Sequence, residues 1–157
     1  MLTNIMLGIN AQMSENITDI KYQEYYFALK NVYKLHRQYG FGKSPDIPSG
    51  FSESLCRFLL GAEKGCDRTH DGITPEGKSL EIKATGTPEG KTTISNSNDF
   101  DILAWVYINF ENDTASIYKL QRSLFNISGG NGRKSITLSG IVKSAGVQPT
   151  VYAFKSP

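Results

Sequence analysis

An α+β fold, one mixed sheet carrying helices, is what the sequence predicts, and three features predict it. Two segments near the start have helical spacing of apolar residues. Beyond them come short runs of strand character separated by turn residues. One of these runs, "ILAWVYINF", is strongly apolar. The chain of 157 residues, with 39% hydrophobic and 20% charged residues, fits one soluble globular domain large enough to bury a core.

Taken in order, residues 1–17 read as an N-terminal extension. They lack a basic lead and a continuous apolar stretch, so no signal peptide is expected. From Thr18 to about Tyr39, Ile20, Phe27, Leu29, Val32, Tyr33 and Leu35 lie near helical spacing, and Gly40 is a natural stop. The helix carries Tyr22, Tyr25, Tyr26, Phe27, Tyr33 and Tyr39, more aromatic surface than one helix face usually hides in a small domain. A subunit interface is the expected use. "GFGKSPDIPSG" is a loop, and Ser49 or Ser52 caps a second helix, "SESLCRFLLGA", that Gly61 ends, completing a helical part over 18–62.

The sheet-rich part, 67–157, starts with strands near 67–73 and 78–85. "TGTPEGKTTISNSNDFD" reads as a polar loop leading to "ILAWVYINF", whose hairpin partner is "TASIYKL" through "ENDT". "QRSLFNI" suggests a short helix and "SGGNGRKS" a basic loop. "SITLS" and "TVYAF" finish the sheet, around a turn or helix near "GIVKSAG".

Several function classes drop out. No run of about 18 apolar residues marks a membrane span. Cys56 and Cys66 form no CxxC pair and have no His pair nearby, which argues against zinc and for a reduced, cytoplasmic chain. Nucleotide-loop, metalloprotease and nucleophile-elbow motifs are missing. A net charge of +2 permits nucleic-acid binding without demanding it.

The chemistry concentrates in "CDRTHDGITPEGKSLEIKAT". In a strand, Glu81 and Lys83 share one face, and Leu80, Ile82 and Ala84 take the other. With "ITPEGK" as a hairpin turn, Pro75 sits early and Gly77 supplies the left-handed residue, so Thr74 pairs with Lys78. Counting back along both strands puts Asp71 opposite Glu81. Two carboxylates about 5 Å apart repel, and a divalent cation between them reverses the sign. With the Ile82 carbonyl they offer the hard oxygens Mg²⁺ prefers. Lys83 then stands where it can stabilise charge at a scissile phosphate. Asp67 is the rival for Asp71, but its register opposes Thr85. His70 is expected on the face opposite Asp71. The bland alternative is a solvated strand face with an ion pair at Glu81 and Lys83, and for Glu53 a first-turn helix acid.

Asp71 followed by Glu81-Ile82-Lys83 resembles the PD-(D/E)xK nuclease signature, with His70 in place of its proline. Glu53 in "SGFSESLCRFLLG" matches the helix glutamate of that family, and "DGIT", "LEIKAT" and "SLFNI" resemble short type II restriction endonucleases. The similarity spans roughly residues 48–126. It implies a restriction-endonuclease-like α+β fold, a central mixed sheet with a catalytic β-hairpin flanked by helices. It further implies a single nuclease domain over 1–157 with Asp71, Glu81, Lys83 and Glu53 as catalytic residues. Metal ligands would be Asp71, Glu81 and the Ile82 carbonyl, holding one or two Mg²⁺. The substrate would be double-stranded DNA cut at a short palindrome by a homodimer, with a cognate methyltransferase protecting the same site. Candidate DNA contacts are Arg68, Thr85, Lys91, Thr92, Thr93, Ser95, Asn96, Asn98, Arg133 and Lys134. The alternatives are a structure-selective repair or junction-resolving nuclease and a non-catalytic DNA-binding module.

Overall fold

The structure, a computed structural model, describes residues 15–66, 69–95, 99–125 and 132–156. It is a mixed α+β arrangement. Strand β1 (Glu15–Asn16) precedes helices α1 (Ile20–Tyr39) and α2 (Ser49–Leu60). Strands β2 (Gly72–Ile73), β3 (Ser79–Thr85), β4 (Lys91–Ser95), β5 (Ile102–Asn109) and β6 (Thr114–Gln121) follow. After a 3₁₀ turn (Arg122–Leu124) come β7 (Arg133–Thr137), helix α3 (Leu138–Ala145) and β8 (Thr150–Ala153). No helix among the described residues is long and apolar enough to cross a membrane.

Six strands form one sheet in the order β1-β8-β6-β5-β3-β2, and β4 pairs with β7 in a separate two-stranded ribbon. The large sheet is mixed: β3–β5 and β1–β8 run parallel, the other neighbours antiparallel. β5 lies centrally and is apolar on both faces because both are covered. One face packs against α1 and α2 through Tyr22, Tyr26, Leu29, Phe51 and Leu55. The other packs beneath the ribbon and α3, where Leu103 and Trp105 meet Ile94, Ile136 and Leu138.

Helix α1 starts two residues after Thr18, with the Asp19 carboxylate accepting from the Lys21 N–H at 3.1 Å, and stops at Gly40. α2 begins at Ser49, three residues earlier than "SESLCRFLLGA" suggests. The Pro48 carbonyl receives the Phe51 and Ser52 N–H groups, so no serine side chain caps it. The two free cysteines lie apart in character, Cys56 buried and Cys66 exposed.

Several expectations need correction. The sheet is not single. The expected loop after β3 contains β4, and the expected basic loop "SGGNGRKS" gives Arg133, Lys134 and Ser135 to β7. "KTTIS" has one large apolar residue and a partner about forty residues downstream, so it does not read as a strand by itself. The expected strand "SITLS" is met only over residues 135–137, in the ribbon instead of the large sheet, because Leu138 and Ser139 open α3. The expected strand over 67–73 shrinks to Gly72–Ile73 among the described residues. β1, unforeseen in the N-terminal extension, closes the sheet edge against β8.

The tyrosines of α1 divide. Tyr22 and Tyr26 are core residues, and the Tyr26 ring stacks on Phe154 with centroids 3.8 Å apart. Its hydroxyl donates to Asp113 Oδ1 at 2.7 Å, and Lys30 Nζ reaches the same oxygen at 2.6 Å. Burial pushes the Asp113 carboxyl up, but these two donors outweigh it and hold the group below the usual carboxylate range. Asp113 also has φ 53, a conformation Asp tolerates better than Ala. Asp113→Ala is expected to cost about 1–3 kcal/mol, since it orphans the buried Tyr26 hydroxyl. A depressed carboxyl stabilises the fold above its unfolded pKa, and that contribution is lost as pH falls through the lower folded value. The difference between wild type and variant in urea titrations should therefore be full at neutral pH and shrink below about pH 4. A difference independent of pH would show that Asp113 acts only through backbone conformation.

Candidate active site

The hairpin that carries the site follows from its turn residues. Thr74 N–H donates to the Lys78 carbonyl at 2.8 Å and Gly77 N–H to the Thr74 carbonyl at 2.9 Å, with Gly77 at φ 80. Gly72 pairs with Leu80 and Ile73 with Ser79, the register expected from Pro75 and Gly77. On the other edge Ile73 exchanges both backbone bonds with Glu63.

At Asp71 the chain leaves regular pairing. Its N–H bonds to the Leu80 carbonyl at 3.0 Å, and its Oδ2 accepts the Ile82 N–H at 2.8 Å. The carboxylate thus takes the place of a backbone acceptor beside β3. This departure also explains His70. Expected on the opposite face, it lines the same cavity as Asp71, because strand alternation ends at Gly72. His70 Nδ1 is buried there with no hydrogen-bond partner among the described residues.

Glu81 and Lys83 share a face of β3, as their spacing requires. Lys83 Nζ lies 2.6 Å from Glu81 Oε1, with the glutamate side chain 13% and the lysine 34% exposed. The parallel register places Glu81 beside Leu103 and Lys83 beside Trp105, so this face is the one over which the ribbon packs. Thr85, next along it, accepts the Trp105 indole N–H at 3.0 Å. Leu80 and Ile82 fill the core beneath α2.

Glu53 projects from α2 toward Asp71. Both line a cavity of about 320 Å³ with Arg57, Lys64, Cys66 and His70. Burial raises the Glu53 carboxyl above its ordinary value, and the Asp71 charge adds to the rise; Arg57 and Lys83 oppose it. The three carboxylates therefore feel one another, and each has its own compensation. Glu53 has Arg57 at 3.8 Å, Glu81 has Lys83, and Asp71 has the Ile82 N–H.

Arg57 is the residue that sequence reasoning passed over. Its Nη1 donates to the Asp71 carbonyl at 2.7 Å, fixing the backbone where β2 is too short to do so. The arginine stem crosses Gly72, where an added Cβ would meet Arg57 Cγ at 3.3 Å and the Glu63 carbonyl at 3.2 Å. Its place one helical turn after Glu53 was the available signal.

Of the candidate DNA residues, Thr85 lies apart on β3, its hydroxyl engaged by the Trp105 indole. Lys91, Thr92, Thr93 and Ser95 lie on β4, and Arg133 and Lys134 on β7, directly across the ribbon. Arg68, Asn96 and Asn98 lie outside the described residues. Among the described residues no three His, Cys, Asp or Glu side chains converge at metal-ligand distances. Mg²⁺ does not require such a group, since it usually keeps several waters and uses one or two carboxylates. Asp71 and Glu81 fit that donor set in kind. In comparisons with known proteins, no family model and no curated protein matches this chain.

Proposed function

We propose that this chain is a Mg²⁺-dependent endodeoxyribonuclease of restriction-endonuclease-like fold, a type II enzyme of the PD-(D/E)xK kind that cuts double-stranded DNA at a short palindrome. The observation that carries this reading is the hairpin. Asp71 is anchored on the Ile82 N–H beside the Glu81–Lys83 pair, and Glu53 faces Asp71 from α2.

In this reading Asp71, Glu81 and the Ile82 carbonyl hold the ion. When bound, Mg²⁺ supplies Lewis-acid stabilisation of charge at the phosphate. Lys83, presented by Glu81, orients the attacking water and offsets the negative charge that develops on the phosphate oxygens. Water oxygen bonds to phosphorus and gives up a proton as the bond to the 3′ oxygen breaks, and the 3′ oxygen takes up a proton to leave as a hydroxyl. Glu53, whose carboxyl burial and the Asp71 charge raise above its ordinary value, is the group on this cavity placed to receive or return a proton.

One acidic cluster hydrolyses one phosphodiester at a time, so cutting both strands of a palindrome calls for two copies related by a two-fold axis. The surface proposed for that contact is on α1. Tyr25, Ala28, Val32, Leu35 and Tyr39 are all exposed and recur at intervals of three and four residues. A methyltransferase that modifies the same site is the expected companion activity.

The test is incubation of plasmid and phage DNA with Mg²⁺, read on a gel beside light scattering of the protein with and without duplex. Discrete fragments and a dimer are expected. Uncut DNA at every divalent-ion concentration overturns the reading, and relaxed circles from a monomer would point to a structure-selective nicking enzyme instead.

A further inference from the structure

We propose that the β4–β7 ribbon is the element that reads DNA sequence, entering the major groove with its outer face. The inference rests on the nuclease reading for the identity of the partner, and the ribbon's geometry supplies the rest.

Each strand has five residues, "KTTIS" and "RKSIT". Together they carry Lys91, Arg133 and Lys134, five hydroxyl side chains and no acid. Pairing sets Thr93 opposite Ser135 and Ser95 opposite Arg133, and alternation puts these four with Lys91 on one face. Lys91, Thr93, Arg133 and Ser135 are exposed and Ser95 is half-buried. The opposite face holds Ile94 and Ile136, both buried against Phe100, Leu103 and Trp105. Thr92 shares that underside, and Thr137 is occupied in capping α3 through the Gly140 N–H at 3.2 Å.

A face without carboxylates, with cations toward both ends and small hydroxyl groups between, suits a polyanion whose base edges carry donors and acceptors. Two strands about 4.8 Å apart fit a groove about 12 Å wide. From Lys91 to the Ser95–Arg133 pair the ribbon spans four residue steps, roughly 13 Å. Laid across the groove, it brings Lys91 to one phosphate wall and Arg133 to the other, with Thr93 and Ser135 over the base edges between them. Lys134, whose parity is inward but which reaches solvent, contacts phosphate only. The platform is firm. The Leu138 and Ser139 N–H groups bond to the Gly90 and Pro88 carbonyls at 3.1 and 2.9 Å, tying the ribbon to the turn that follows β3.

The test measures binding in Ca²⁺ of a fluorescent 30-base-pair duplex at several salt concentrations, and selection of preferred sites from a random-sequence duplex pool. Lys91→Gln and Arg133→Gln are each expected to lower the salt slope by about 1. The double variant Thr93→Val/Ser135→Ala should keep that slope yet lose or change the selected sequence. Ser144→Ala, on α3 where its hydroxyl bonds back to the Ile141 carbonyl, should do neither, which controls for a nonspecific effect of substitution. The inference is overturned if the double variant selects the wild-type sequence, if the charge variants keep the full slope, or if wild type binds no duplex. The two readings fail separately. A wild type that binds and selects through the ribbon but never cleaves with Mg²⁺ sinks the nuclease and keeps the ribbon. Cleavage of an unchanged site by the double variant does the reverse.

Discussion

Lys83→Ala is expected to reduce DNA cleavage by about 10²–10³-fold while leaving duplex binding in Ca²⁺ intact. The ammonium stands 2.6 Å from Glu81, on the strand that also presents the Ile82 N–H to Asp71. Its charge matters most when a phosphate becomes more negative on the way to the transition state. Removing it therefore lowers the rate more than it weakens ground-state binding. The loss also leaves Glu81, only 13% exposed, without its cation. Single-turnover cleavage and anisotropy titration on the same preparation separate the two effects. A variant that keeps more than a tenth of the wild-type rate has lost under about 1.4 kcal/mol of barrier stabilisation. That is too little for the role assigned to Lys83, and the Glu81–Lys83 pair would then be a structural ion pair.

Trp105→Ala should cost about 3–5 kcal/mol of stability. Trp105 is fully buried in the centre of β5, between Lys83 on β3 and Tyr118 on β6, and it fills the layer beneath the ribbon. Truncation leaves a cavity there and strips Thr85 Oγ1 of its indole donor. For a chain of this size the loss corresponds to a fall in Tm on the order of 10 °C or more. Trp105→Phe keeps most of the volume and should recover the greater part. Thermal unfolding followed by circular dichroism reads both. A fall of only a few degrees for the alanine variant would mean that the ribbon does not rest on Trp105. The alanine variant should also loosen the ribbon, so DNA selectivity is expected to decline before the fold is lost.

The hairpin was legible because its determinants are local. Pro75 and Gly77 set the turn, the turn sets the register, and Gly72 and Leu80 pair accordingly. Helix α1 was legible for the same reason, from apolar spacing and a terminal glycine. Less visible was the burial of Tyr22 and Tyr26, as periodicity alone does not say which side of an aromatic helix faces the sheet. Glu53 was picked out by its resemblance to a family pattern, and the structure places it on one cavity with Asp71.

From its sequence alone this protein had an α+β composition, two N-terminal helices, a tight hairpin and the pair of Glu81 and Lys83 on one strand face. These depend on contacts a few residues apart, where backbone preferences and side-chain alternation are strong enough to decide the outcome. Tertiary structure alone brought Arg57 onto the Asp71 carbonyl, turned the Asp71 carboxylate to the Ile82 N–H, and joined β4 to β7. Polar β4 has little propensity to announce itself, and β7, about forty residues on, was legible only in part, through "SITLS". They become a ribbon because Ile94 and Ile136 need cover over Trp105, and only the folded sheet provides it.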